Sequence, residues 1–138
     1  MERFEGGDRS QPAGILRSRR HPASCGDHLV RARLVMTEGL IAEGLGISPD
    51  EIHHSTRGRA RSAEARQMVM YLAHVMLGLS LCEVGRRYRR DRSTVAHACR
   101  KWEDRRDDPY CDTFLTEVEQ IVMGACRLRF NPTCGDKR

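Results

Sequence analysis

Within the stretch RRDRSTVAHACRKWEDRR, Arg89 to Arg106, the uncharged residues Val95, Ala98, Cys99 and Trp102 fall at i, i+3, i+4 and i+7. An α-helix turns by about 100° per residue, so these four line one side, which must face a core. The same rotation places Ser93, His97 and Arg100 within about 60° of one another on the opposite side. A helix is therefore expected from near Asp91, acting as N-cap, to about Arg105. It would present hydroxyl, imidazole and guanidinium groups outward.

The segment just before it reads as a shorter helix. Ser80 and Glu83 have the spacing of a capping box, and the helix they open runs to about Tyr88. Two short helices separated by so few residues have the layout of a helix-turn-helix. Upstream, a helix over about Asp27 to Ala42 carries Leu29, Leu34, Val35, Leu40 and Ile41. A short one follows in ISPDEIHH, with Ser48 as N-cap and Pro49 at its first position. The clearest core element spans about Ser62 to Leu77, with Met68, Leu72, Val75 and Met76 and then Leu79 on one stripe. A last helix, about Tyr110 to Arg127, places Phe114, Leu115, Val118, Ile121 and Val122 on one face. The expected class is all-α, a compact helical domain of about six helices over 27–128. Residues 1–26 mix Gly, Pro, Ser and Arg without periodicity and are expected to form a flexible arm, with 129–138 as a flexible tail.

Charge narrows the partner. The formal net charge is +5 over 138 residues, and lysine occurs only at Lys101 and Lys137, so the basic residues are almost all arginine. Arginine donates paired hydrogen bonds to phosphates and base edges. Between 86 and 101, Arg86, Arg87, Arg89, Arg90, Arg92, Arg100 and Lys101 are opposed only by Asp91. Double-stranded DNA is the expected partner. Arg92 would reach guanine or a phosphate, Ser93 and Thr94 would hydrogen-bond to bases or phosphates, and the Thr94 methyl suits a thymine methyl. Seven phosphate contacts would give a log-log salt slope on the order of −5 or −6.

Six cysteines without a secretory segment point to a reduced, cytoplasmic setting, with Cys82 and Cys99 as small core residues, and the expected DNA partner would make the chain nucleoid-associated. No apolar run approaches the roughly 18 to 20 residues of a membrane span, so no membrane partner is expected. His21, Cys25 and His28, taken with Cys111, Cys126 or Cys134, lack the paired spacing of a zinc site. No metal, cofactor or active site is expected.

The run ARQMVMYLAHVMLGLSLCEVGRRYRRDRSTVAHACRKWEDRRDDP resembles the C-terminal DNA-binding domain of the bacterial chromosomal replication initiator DnaA, over about Leu34 to Val122. That family shows Ala-Arg-Gln opening a core helix, Ser-Leu-x-Glu-[Ile/Val]-Gly before the turn, and Gly-Arg-Asp-His-Thr-Thr-Val-x-His-Ala on the recognition helix. The resemblance implies binding to short duplex sites, the DnaA boxes, through the major groove, with an arginine in the minor groove. The signature falls on Arg90, Asp91, Arg92, Ser93, Thr94, Val95, His97 and Ala98. Arg66 and Gln67 match the start of the core helix, and Arg57 or Arg59 supplies the minor-groove residue. Arg100 and Lys101 complete the expected DNA-binding set.

This chain departs from the pattern at the turn, which is one residue shorter and lacks the family's glycine pair. The signature His becomes Arg92 and the first Thr becomes Ser93. The phosphate-binding loop of full-length initiators ends in Gly-Lys-[Ser/Thr], and no Gly-Lys pair occurs here. The expectation is a sequence-specific reader of duplex DNA without ATPase activity, regulating replication initiation or transcription. The alternative is an interaction module that keeps the fold but binds a replication or regulatory protein, for instance through EDRRDDPYCD.

Overall fold

The computed structural model describes residues 25–54 and 60–125, and among these the chain is all helical. Six helices follow in order: α1 (Cys25–Leu45), α2 (Asp50–His53), α3 (Ala60–Val75), α4 (Leu81–Tyr88), α5 (Arg92–Arg105) and α6 (Pro109–Gly124). The expected tail lies outside the described residues. So does the expected arm, except for residues 25 and 26, which open α1.

Helix α3 is the centre. Ala65, Met68, Val69, Met70, Tyr71, Leu72 and Ala73 are all buried, too many for one stripe. A helix apolar over most of its circumference must be covered from several directions. Here α1, α2, α4 and α5 all pack on it. The single stripe expected from sequence is corrected accordingly: Val75 is exposed, and Met76 and Leu79 are only partly buried beyond the end of the helix. Gly78, at φ 70°, turns the chain there.

In α1 the buried side is Leu34, Thr37, Glu38, Ile41 and Ala42, while Leu29 and Val35, expected inside, are exposed. Gly46 at φ 65° ends this helix, with the Ile47 amide bonded back to the Ala42 carbonyl at 3.0 Å. At α2 the N-cap position belongs to Pro49 rather than Ser48. The Glu51 carboxylate reaches back to accept from the Ser48 amide at 3.3 Å. Helix α6 is capped by Asp108, which accepts from the Tyr110 amide at 3.0 Å. Leu115, Val118 and Val122 are buried, Phe114 is half-buried and Ile121 is exposed. The helix is described to Gly124, and the expected end near Arg127 lies outside the described residues.

The α4–turn–α5 unit is stitched at both ends. The Ser80 hydroxyl accepts from the Glu83 amide at 3.2 Å, and the Glu83 carboxylate accepts from the Ser80 amide at 2.7 Å. Val84 and Tyr88 are buried and Cys99 is half-buried against the core, whereas Cys82 is exposed and is not the core residue expected. Cys82 falls on the solvent side of α4, between Leu81 and Val84. The turn folds closely over Gly85: a Cβ there would lie 2.6 Å from the Arg90 carbonyl oxygen. Because the obstacle is backbone, Gly85→Ala is expected to cost about 1–3 kcal/mol. A lowered midpoint in denaturant titration checks this.

Candidate nucleic-acid interface

Helix α5 turns Val95, Ala98 and Trp102 fully inward. Arg92, Ser93, Thr94, His97 and Arg100 are exposed together along its outer side. Asp91 holds the N-cap position with extended backbone (φ −66°, ψ 150°), yet its side chain makes no capping bond and its carboxylate is exposed. The first turn of α5 therefore has an arginine at its positive pole and no acid within the helix to balance it.

The cations of this region divide into two groups. Arg87 donates from Nε and Nη2 to the Glu38 carboxylate at 3.3 and 3.2 Å. Lys101 Nζ donates to Gln67 Oε1 at 2.7 Å. Arg90 is half-buried and donates to the backbone carbonyls of Arg89 and His54. By contrast, no hydrogen bond or ion pair among the described residues engages the side chains of Arg89, Arg92 or Arg100, all exposed. At the far end of α5 the arginines are neutralised. Arg105 pairs with Glu64 and lies over the Trp102 ring at 4.9 Å. Arg106 pairs with Asp112 and Glu119 and donates to the Tyr71 hydroxyl at 2.9 Å.

Arg66 is not on this outer face. It is buried, and its guanidinium donates to the carbonyls of Ile52 at 2.7 Å, His54 at 2.9 Å and Glu51 at 3.3 Å. Burial, then the nearby Arg90 charge, lowers its pKa from the ordinary arginine value. Arg66 thus closes the C-terminal end of α2, which has no glycine to cap it. Gln67 is half-buried and anchors Lys101. Arg57 and Arg59 lie outside the described residues. No group of three or more His, Cys, Asp or Glu that could hold a metal ion occurs among the described residues. No helix there is long and apolar enough to cross a membrane.

Residues 38–101, from the middle of α1 to the body of α5, match the family model described as bacterial dnaA protein helix-turn-helix. Over these residues the chain is similar to the DnaA helix-turn-helix family. The chromosomal replication initiator protein DnaA of Mesorhizobium japonicum is 40% identical over 75 residues, covering 54% of this chain and 15% of that protein. The DnaA of Lachnoclostridium phytofermentans is 33% identical over 96 residues, covering 68% and 19%. A crystal structure of a DNA replication initiation factor superposes with a TM-score of 0.61 at 25% identity, over 71% of this chain and 30% of that one. The matched segments span less than a fifth of the length of these DnaA relatives.

The DnaA-type motif rests on a residue that the sequence did not single out. Glu38 of α1 is buried and accepts from Arg87, from the Tyr88 hydroxyl at 2.6 Å and from His53 Nε2 at 3.0 Å. The His53 ring stacks on Tyr88 at 5.4 Å. Burial, then the Glu38 charge, pushes the Tyr88 hydroxyl far above the ordinary tyrosine range, so it stays a donor. One carboxylate thereby ties α1, α2 and α4 together. Glu38→Ala is expected to lower unfolding free energy by about 2–4 kcal/mol, with Glu38→Gln losing less, as read by denaturant titration.

The Glu83 carboxyl is held below its ordinary range, first by the Ser80 amide and then by the Ser80 hydroxyl. A depressed folded value means that the unfolded chain binds the proton more tightly. The contribution is therefore complete above about pH 4.3 and is lost as the pH falls through the lowered value. Glu83→Gln, which keeps an acceptor for the cap but cannot titrate, should flatten that acid limb in thermal melts followed by circular dichroism.

Proposed function

We propose that this chain binds double-stranded DNA sequence-selectively, laying the outer face of α5 in the major groove. It would regulate replication initiation or transcription from a cytoplasmic, nucleoid-associated position without hydrolysing nucleotide. The chief support is the uneven pairing of its arginines. At the C-terminal end of α5, Arg105 and Arg106 have carboxylate partners, whereas Arg92 and Arg100 present bare guanidinium groups beside Ser93, Thr94 and His97. A cation at a helix's positive pole raises the energy of the unliganded protein, and an approaching phosphate relieves it.

The roles follow from side-chain chemistry. Arg92 has the reach and geometry for guanine O6 and N7, Asp91 can accept from cytosine N4, and Ser93 and Thr94 can bond either base edges or phosphates. His97 and Arg100 extend the same face by one and two turns. Arg90 and Lys101 flank it at phosphate height, Lys101 being steadied by Gln67. Arg66 acts from beneath, fixing the chain where it enters the segment that carries Arg57 and Arg59, the minor-groove candidates. The DnaA relatives, named as chromosomal replication initiators, favour a role in replication initiation.

Selection of binding sites from random duplexes tests the reading. A recurrent motif should emerge, and Arg92→Ala and His97→Ala should each weaken it by about 1–3 kcal/mol and relax preference at one position. Binding should fall with salt along a log-log slope on the order of −3 or steeper. Enrichment of no motif together with a flat salt titration would remove DNA as the partner.

A further inference from the structure

Arg89 is the one non-glycine residue with positive φ among the described residues, at φ 53° and ψ 51°. It ends α4: its amide and that of Arg90 both bond back to the Gly85 carbonyl, the latter at 2.9 Å. This left-handed position at a helix end is the one that glycine fills most readily, because a Cβ crowds the following carbonyl. The chain uses glycine for the same task elsewhere, with Gly46 after α1 and Gly78 after α3.

The arginine side chain gives the fold nothing visible in return. It is exposed, and no hydrogen bond or ion pair among the described residues engages it. The basic residues on either side of the turn behave differently, since Arg87 grips Glu38 and Arg90 bonds backbone carbonyls. A side chain kept at a conformational cost with no structural partner points to a partner outside the molecule.

We propose that Arg89 is a phosphate-gripping residue, contacting the duplex backbone at the rim of the groove entered by α5. The inference rests on the DNA-binding reading above and adds a contact to it. The turn lies immediately before the first residue of α5, so its side chain is at the groove edge when that helix is inside. A long guanidinium there can bond phosphate oxygens without reading sequence. The shorter turn thus carries a cation at the place where glycine would contribute only backbone.

The test uses the full chain, a pool of short random-sequence duplexes and a duplex recovered by selection, titrated over a range of salt concentrations. Arg89→Gly and Arg89→Asn both remove the charge while tolerating the left-handed backbone. Each is expected to keep or raise the thermal midpoint and to weaken binding about two- to fivefold on both probes. The log-log salt slope should become shallower by about 0.9, and Arg89→Lys should restore it. Unchanged affinity and slope in the Gly and Asn variants, with Arg92→Ala still impaired, would overturn this assignment and leave the DNA-binding reading standing. A loss confined to the selected duplex would overturn it too, because the contact would then be to a base. So would a fall in thermal midpoint for both variants, which would give the side chain a place in the fold. Absence of duplex binding by the wild-type chain would overturn both inferences together.

Discussion

Burial of Val95, Ala98 and Trp102 fixes the rotation of α5 about its own axis. Each such side chain, once enclosed, contributes about 1.5–3 kcal/mol, apart from the smaller alanine. Rolling the helix by one residue, about 100°, would withdraw this stripe and bury polar groups in its place. The anchor is α3, itself enclosed by α1, α2, α4 and α5, so the outer face of α5 inherits the rigidity of the whole core. Any surface meant to match a groove to within an ångström needs such a support.

Two polar clusters brace this arrangement from opposite ends. Glu38 ties α1 to α2 and α4 beneath the turn. At the other end, Arg106 joins α3 to α6 through Tyr71, Asp112 and Glu119, while Glu103 accepts from the Tyr71 hydroxyl at 2.8 Å. Both clusters take up arginines that sequence alone would count as available charge. Arg89, Arg92 and Arg100, exposed at the turn and on the outer face of α5, belong to neither cluster, so net charge describes this surface less well than the pairing does.

The α4–turn–α5 unit was legible in the sequence because its signals are local: a capping box three residues wide and an apolar stripe within one helix. The outward position of Ser93, His97 and Arg100 followed from the helical period alone. The burial of Val69, Met70, Tyr71 and Ala73 was not legible, since it depends on helices arriving from several directions. Glu38 was hidden for the same reason, its partners being 15, 49 and 50 residues away. Arg66 entered through a motif, and the motif carried no information on depth; the uncapped end of ISPDEIHH was the signal that an arginine would be needed inside. At Arg89 the missing glycines were visible in sequence, while the left-handed backbone that gives their loss its meaning was not.

Trp102 is the sole indole in the sequence. It is wholly enclosed, and its Nε1 has no hydrogen-bond partner among the described residues. Nearly all of its surroundings are therefore apolar, apart from the Arg105 guanidinium over the ring. The chain consequently carries a native optical probe at the root of α5: ultraviolet emission should stay blue while that helix is seated and move red when it lifts away, without any label being attached.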